Sequence, residues 1–338
     1  MTVLFQSDEL WPPHELEAVV ACPFCQSSDV AVTQYDVKDW FYRTSAQSWA
    51  YHECAHCHSL YLDQKPASAF LAKAYSNYYT HGEGTANWRE DLKMRIRNEC
   101  YSHWLSVDIR PRLHVPRLFS SIFERAKDRI EQPFGLDVIC SRVPGKLLDV
   151  GCGSGRIMHL AKNLGWDATG LEIDPDAVAA ARLTGLNVVE GDYRALASFE
   201  NKYDLVICSH VIEHVDQPQM LLDLLTSSVA EGGVLAIAFP NAESLLRKHY
   251  RKFWRGFEAP RHLSVPAASW IQKSMQSHFR HVQQVKMKFD TRNVSEELLA
   301  SVRNDGTEDF TWLDDAPIPE NNDDLAGFIC SSSAIHAS

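Results

Sequence analysis

The segment K-L-L-D-V-G-C-G-S-G-R-I-M-H-L-A-K-N-L-G at residues 146–165 decides the fold. A short apolar run leads into three glycines, Gly151, Gly153 and Gly155, and a helical pattern follows them. Glycine lets the backbone turn tightly and approach a ligand without a side chain in the way. The segment therefore predicts a strand, a ligand-binding loop and a helix.

Four more apolar runs continue this pattern along the chain. The first of them ends at Glu172, and Asp174 and Pro175 then suit the start of the next helix. Apolar runs that alternate with helical stretches indicate a parallel sheet buried on both faces. The predicted strands lie in residues 167–172, 187–193, 203–210 and 232–241.

Two kinds of ligand fit a glycine-rich first turn, a dinucleotide and S-adenosylmethionine. A dinucleotide loop has its third glycine one position later than Gly155. Asp149, just before the loop, would repel a pyrophosphate but could organise the loop around a cationic amino-acid group. Glu172 lies about twenty residues after the glycines, where a carboxylate accepts both ribose hydroxyls. These residues favour S-adenosylmethionine.

The ordered motifs resemble those of the class I S-adenosylmethionine-dependent methyltransferases, over roughly residues 143–338. The resemblance implies a Rossmann-like α/β fold whose seven-stranded sheet is mostly parallel with an antiparallel last strand. Residues 281–290 and 325–334 suit the last two strands. The motifs that carry it are L-L-D-V-G-C-G-S-G-R-I, G-L-E-I-D, E-G-D-Y, Y-D-L-V-I-C-S-H-V-I-E-H-V and G-G-V-L-A-I-A-F-P-N.

The resemblance also implies a cofactor site along the strand ends. The glycine loop would surround the methionine part, the second strand end would hold the ribose, and later strand ends would flank the adenine and the sulfonium. The residues so implied are, in that order, Asp149, Gly151, Gly153 and Gly155; Glu172; Asp192 and Tyr193; and Ser209 and His210.

The string S-H-V-I-E-H-V at residues 209–215 contains H-x-x-E-H, the signature of one class of zinc peptidases. A peptidase of that class needs the string inside a regular helix, so that both histidines share one face. Here a buried strand runs into the string, and Pro218 suits the first turn of the following helix. We therefore expect a strand end with a loop, where α/β sheets bind ligands, and we rank the peptidase last.

Three roles stay open for His210, Glu213 and His214: they order the loop, act as a general base, or hold a divalent metal. In methyltransferases of ubiquinone biosynthesis a similar E-x-x-E-H string is associated with metal binding, although this chain has His at the first position.

A basic and aromatic segment, residues 247–270, follows the fifth strand. Its A-P-R-H-L-S-V phrase resembles a substrate-facing segment of bacterial methyltransferases, which makes His262 a further candidate base. We expect Arg261, Trp254 and Glu213 to contact a small substrate. The segment's other basic residues would clamp an anionic group of it, or else form a solvated helix face.

Two cysteine pairs near the N-terminus predict a structural zinc ribbon, since four thiolates close a tetrahedron around the ion. Residues 30–40 between them suit a β-strand. A histidine in place of one thiolate, a disulfide or redox pair, and unliganded core cysteines are the alternatives. The predicted ligands are Cys22, Cys25, Cys54 and Cys57, and the alternative histidines are His52, His56 and His58.

The chain of 338 residues divides into a zinc ribbon at 1–64, a helical connector or substrate lid at 65–142, and a methyltransferase domain at 143–338. The lid interpretation rests on aromatic and basic residues between positions 88 and 129.

Composition bounds the function. Apolar residues make up 45% and charged residues 23%, with no run long enough to cross a bilayer and no visible secretory signal, so we expect a cytoplasmic enzyme. A net charge of −11 argues against nucleic acid as a partner. The predicted activity is methyl transfer to a hydroxyl, amine or carbon of a small metabolite or (nucleotide-)sugar in a biosynthetic pathway. Methylation of a protein or RNA recognised by the ribbon is the alternative, and the oligomeric state stays open.

Overall fold

The computed structural model describes residues 10–40, 42, 44–75, 88–116, 132–200, 202–287 and 323–332, together with residues 123, 125, 130 and 295. The N-terminal part is built from five short strands, β1 (Leu16–Ala18), β2 (Val30–Val37), β3 (Trp49–Cys54), β4 (Leu60–Leu62) and β5 (Gln64–Pro66). A 3-10 helix, Ser68–Tyr75, follows them.

Alternating strands and helices make up the rest. In chain order these are α1 (Trp88–Trp104), α2 (Leu136–Ser141), β6 (Lys146–Val150), α3 (Arg156–Asn163), β7 (Asp167–Glu172), α4 (Pro175–Leu183), β8 (Asn187–Glu190), β9 (Tyr203–Ser209), α5 (Pro218–Ser228), β10 (Val229–Pro240), α6 (Leu245–Tyr250), β11 (Ser264–Val265), α7 (Ala268–Gln276), β12 (His281–Lys286) and β13 (Leu325–Ser331). Three further 3-10 helices, Tyr193–Ser198, Ile212–His214 and Arg255–Phe257, border the site.

The central sheet has seven strands in the order β12-β13-β10-β9-β6-β7-β8. Five of them, β6 to β10, pair in parallel, and β13 runs antiparallel to both of its neighbours. The predicted fold class is thereby confirmed. The order reverses between β6 and β9, so the ends of these strands open the crevice in which such sheets bind ligands.

Burial explains why these segments form central strands. Leu205, Val206, Ile207 and Cys208 of β9 are all 0% exposed, as expected for a strand covered on both faces. β8 ends earlier than predicted, at Glu190, because the Asp192 side chain caps the next 3-10 helix by accepting a hydrogen bond from the Arg194 amide.

The ribbon and the body share a second, four-stranded sheet. Its order is β11-β4-β3-β2, and β11 comes from residues 264–265, far along the chain. Ser264 pairs with Tyr61 and Val265 with Leu60 in antiparallel register. The N-terminal unit therefore takes its edge strand from the segment that carries His262.

The described part of the connector contains the 3-10 helix Ser68–Tyr75 and the helices α1 and α2, and α1 packs against the body. Tyr101 of α1 is buried and accepts a hydrogen bond from Arg156 of α3. Phe119, which the lid interpretation used, lies outside the described residues. None of the helices in the described ranges combines the length and apolar character needed to cross a bilayer.

Candidate active site

The glycine loop lies between β6 and α3, with all three glycines in the left-handed region, at φ of 74°, 53° and 86°. A Cβ on Gly151 would lie 2.4 Å from Val211, and one on Gly155 would lie 2.1 Å from Leu186. A Cβ on Gly153 would meet nothing within 4 Å. Gly153 therefore faces open space, and its bare backbone lines a cradle that a ligand can enter.

Two carboxyl groups border this cradle. Glu172 accepts hydrogen bonds from the Gly153 amide at 2.7 Å and from the Ile173 and Asp174 amides at 2.9 Å. Asp149 is buried, and burial together with the charge of Glu172 raises the pKa of its carboxyl to about 7. A cation bound beside these groups would relieve that penalty and favour the ionised form of Asp149.

The two residues predicted to hold adenine, Asp192 and Tyr193, already have partners within the protein. Asp192 accepts hydrogen bonds from the Arg194 amide and guanidinium, at 2.9 and 2.7 Å. Tyr193 is buried, donates to Asp216 at 2.8 Å, and has the Arg194 guanidinium over its ring at 4.6 Å. Sequence reasoning missed Ile173, which is 67% exposed beside Glu172. Its signal in the sequence is its position directly after Glu172, the carboxylate predicted to hold the ribose.

S-adenosylmethionine fits this edge of the sheet. The open backbone at Gly153 suits the close approach of the methionine part, the carboxyls of Asp149 and Glu172 suit its cationic and ribose groups, and Ile173 offers an apolar surface.

The string at residues 209–215 forms a strand end and a single 3-10 turn. His210 lies before that turn, in the left-handed region at φ 57°. Its Nδ1 is 3.2 Å from Glu213 Oε1. Because the string is not a regular helix, it lacks the frame that an H-x-x-E-H peptidase needs.

Glu213 is the buried carboxylate of this turn. It is 0% exposed, and its Oε2 has no hydrogen-bond partner among the described residues. A buried carboxylate oxygen without a partner is costly, so such atoms often mark a place where a proton or a cation binds.

His214 and His262 are held in one tautomer by backbone carbonyls. His214 Nδ1 lies 3.1 Å from the Arg261 carbonyl, and His262 Nδ1 lies 2.7 Å from the Gly256 carbonyl. A carbonyl only accepts, so Nδ1 carries the proton in both rings and Nε2 keeps its lone pair. Burial lowers the pKa of both imidazoles, which keeps them neutral near pH 7.

The two rings lie with their centres 4.8 Å apart, and Tyr75 Oη is 3.1 Å from His214 Nδ1. One potential ligand atom from each of Glu213, His214 and His262 lies within 4.8 Å of the others. The predicted metal site has His210, Glu213 and His214 as its ligands. In the structure the group that could hold a metal contains His262 instead of His210.

All three predicted substrate contacts are buried, Glu213 at 0% exposed as well as Arg261 and Trp254. Arg261 is 0% exposed, and its guanidinium pairs with Asp39 and Glu258. Trp254 is 1% exposed and donates its indole N–H to Asp324. Because both side chains are enclosed and occupied, neither presents a face to a substrate.

Three of the basic residues of the same segment pair with acidic residues, whereas Lys248 and Arg251 are exposed. Arg247 bonds Glu53 and Lys252 bonds Asp36, each at 2.8 Å, and Arg255 bonds Glu258. The first two pairs join the segment to the ribbon.

The four ribbon cysteines converge. Their sulfurs lie within 4.8 Å of one another, with Cys22–Cys57 and Cys25–Cys54 both at 3.5 Å. This is too long for a disulfide and near the roughly 3.8 Å edge of a thiolate tetrahedron around zinc.

The two halves of the cysteine cluster share one backbone geometry. Gln26 and His58, each directly after a C-x-x-C pair, adopt φ of 63° and 60° and donate to the carbonyls of Cys22 and Cys54. His52, His56 and His58 lie outside the cluster, so the donor set is four thiols, which fits structural zinc.

Comparisons with known proteins agree with this architecture. A family model described as "Methyltransferase domain" matches residues 116–278. Ubiquinone biosynthesis O-methyltransferase of Xylella fastidiosa is 32% identical over 119 residues, which is 32% of this chain and 48% of that protein. The same enzyme of Xanthomonas campestris pv. campestris is 34% identical over 119 residues, 32% of this chain and 50% of that protein.

The chain thus spans about half the length of the relatives it matches. A solved structure of a SAM-dependent methyltransferase from Archaeoglobus fulgidus aligns with a TM-score of 0.42 at 19% identity, covering 68% of this chain and 97% of that one. Over residues 116–278 the chain matches the methyltransferase-domain family, and the order and directions of the seven strands agree with that match.

Proposed function

We propose that this chain transfers a methyl group from S-adenosylmethionine to a hydroxyl, amine or carbon of a small metabolite or nucleotide-sugar. The observation that carries the proposal is the placement of basic imidazole nitrogens next to the glycine loop. Val211, between His210 and Glu213, is the residue that a Cβ on Gly151 would strike. The loop and the histidine turn therefore lie side by side at the same edge of the sheet.

S-adenosylmethionine, when bound, supplies an electrophilic methyl group on a good leaving group. The chain's own residues hold the cofactor through Asp149, Glu172 and the loop, align the acceptor and exclude water. An acceptor hydroxyl or carbon must also lose a proton, which calls for a base.

His210 is the base we favour. It is exposed, whereas His262 is buried and His214 is half-buried. Glu213 holds its Nδ1 proton at 3.2 Å, so Nε2 is the nitrogen that accepts the acceptor's proton, and the buried carboxylate stabilises the resulting imidazolium. His214 and His262 then shape the neighbouring wall.

The test is transfer of labelled methyl from S-adenosylmethionine to a panel of nucleotide-sugars and small hydroxylated compounds, with wild type and His210→Ala. We expect transfer to at least one member and a loss of about 100-fold or more in turnover for the variant. Equal turnover of both proteins would remove His210 from the mechanism.

A divalent cation at Glu213, His214 and His262 is a second candidate for the acceptor side, because Glu213 Oε2 has no described partner. The N and O donors suit a transition metal. Under this hypothesis, metal analysis after zinc loading finds a second ion per chain that His262→Ala removes. If both proteins bind only one ion per chain, the second metal site is excluded and the general-base mechanism is the one that stands.

We also propose that Cys22, Cys25, Cys54 and Cys57 hold structural Zn²⁺, with no open position for catalysis. A reducing cytoplasmic setting suits a four-thiolate site.

A further inference from the structure

We propose that Asp39, in the N-terminal ribbon, is a positioning residue for the acceptor side of the site. Through Arg261 it fixes the tautomer and the place of His214. The relevance of this proposal to the reaction rests on the proposed function, because His214 and His262 form the wall that would face the methyl acceptor.

The Asp39–Arg261 pair is enclosed and well formed. Asp39 is 1% exposed and Arg261 is 0% exposed. Arg261 donates from Nη2 to Asp39 Oδ1 at 2.8 Å and from Nη1 to Oδ2 at 3.3 Å. Its guanidinium carbon also lies 4.0 Å from the centre of the Tyr42 ring. A two-point contact of this kind fixes direction as well as distance.

The remaining donors of Arg261 bind other parts of the site. Nε bonds Glu258 Oε1 at 3.1 Å, and Nη1 bonds the Ala74 carbonyl at 3.0 Å. Burial alone would raise the pKa of Asp39, but Arg261 and the hydrogen bonds of Thr44 outweigh it, and the net pKa is lowered. Asp39 is thus a carboxylate at neutral pH. Without its charge, the buried guanidinium of Arg261 would have Glu258 as its remaining anionic partner among the described residues.

The fixed backbone of Arg261 reaches the imidazole directly. The carbonyl that holds the Nδ1 proton of His214 belongs to Arg261 itself. A second ribbon residue acts on the adjacent peptide, because Tyr51 Oη lies 2.6 Å from the His262 carbonyl. Rotation of the 261–262 backbone would break both contacts. His214 Nδ1 would then keep Tyr75 Oη at 3.1 Å, which can donate as well as accept, and would lose the carbonyl, which can only accept and so selects the tautomer.

The test is nitrogen NMR of histidine-labelled protein, which reports the protonated ring nitrogen without any substrate. In wild type we expect His214 to carry its proton on Nδ1. In Asp39→Asn we expect that form to fall by about half or more. The matched control is Asp36→Asn, which breaks a different ribbon-to-body ion pair, with Lys252 at 2.8 Å, away from residues 258–262. The control should leave the His214 spectrum unchanged.

If Asp39→Asn folds and His214 still carries its proton on Nδ1 as in wild type, the proposal is overturned. It is also overturned if the Asp36→Asn control changes the His214 tautomer by the same amount. If Asp39→Asn fails to fold, Asp39→Glu, which keeps the charge but displaces the carboxylate from Arg261, is measured instead, and an unchanged His214 spectrum there also overturns the proposal. Calorimetry with S-adenosylmethionine on the same samples keeps the two hypotheses apart. If the wild-type protein does not bind S-adenosylmethionine, the proposed function is contradicted. The tautomer measurement uses no ligand, so its result tests the role of Asp39 independently. We expect Asp39→Asn to bind within about twofold of wild type.

Discussion

The glycine loop takes its partners from nearby in the chain, whereas the histidine wall takes its partners from far away. Gly153 bonds Glu172, nineteen positions on. Arg261, whose carbonyl holds His214, is fixed by Asp39 at a separation of 222 positions, and Tyr51 reaches His262 across 211. The proposed cofactor side is thus a local structure, and the proposed acceptor side is held by residues of the ribbon. Changes in the ribbon should affect one side only.

The largest expected effect comes from breaking the ribbon. Cys54→Ser removes one thiolate from the cluster, and we expect loss of zinc with a fall of about 5 kcal/mol in the free energy of unfolding. Metal analysis and denaturant unfolding measure both. Cys140→Ser, a half-buried cysteine outside the cluster, is the control. A Cys54→Ser protein that keeps its zinc and its stability contradicts the ribbon.

Next comes the cofactor side. Gly153→Arg fills the open cradle and should weaken binding of S-adenosylmethionine by about 100-fold or more, with the zinc content unchanged. Gly185→Arg is a matched control, because Gly185 also has a positive φ, 78°, and open space around it, but lies past the end of α4. Calorimetry should find wild-type affinity in the control, and equal loss in both would point to backbone strain.

A smaller effect is expected from Glu213→Gln. The amide can present N–H to His210 Nδ1 and so favour the wrong tautomer, and we expect turnover to fall by about 10- to 100-fold while cofactor affinity stays. The double variant with His210→Ala should lose little more than His210→Ala alone, because the two act as one unit. Additive losses would separate their roles.

The smallest effect concerns pH. The pKa of Asp149, about 7, lies above the ordinary aspartate value. In the cofactor-free protein, the protonated carboxyl therefore adds to the free energy of unfolding at low pH, and this contribution is lost as the pH rises through 7. A cationic ligand prefers the ionised form, so affinity for S-adenosylmethionine should rise about tenfold from roughly pH 6 to 8. Asp149→Asn should flatten that rise in calorimetric titrations.

The sequence predicted what lies in continuous motifs. The loop, the strand that ends at Glu172 and the 209–215 turn follow from contiguous patterns. The cysteine cluster follows from two C-x-x-C pairs of recognisable spacing, although its sulfurs meet across 35 and 29 positions. Sequence reasoning misjudged Arg261 and Trp254 because a basic or aromatic residue after a strand looks the same whether it faces a substrate or a buried carboxylate.

The partners that enclose those two residues are Asp39 and Asp324, and no local pattern connects either pair. The burial of Glu213 and the contact of Tyr75 with His214 were beyond reach for the same reason, since both depend on how distant segments pack.

The most direct test of the account is calorimetric titration of the wild-type chain with S-adenosylmethionine, with Gly153→Arg in parallel. We predict saturable binding of one cofactor per chain with an affinity roughly between 1 µM and 1 mM, and none for the variant. No binding to wild type at millimolar ligand would contradict it.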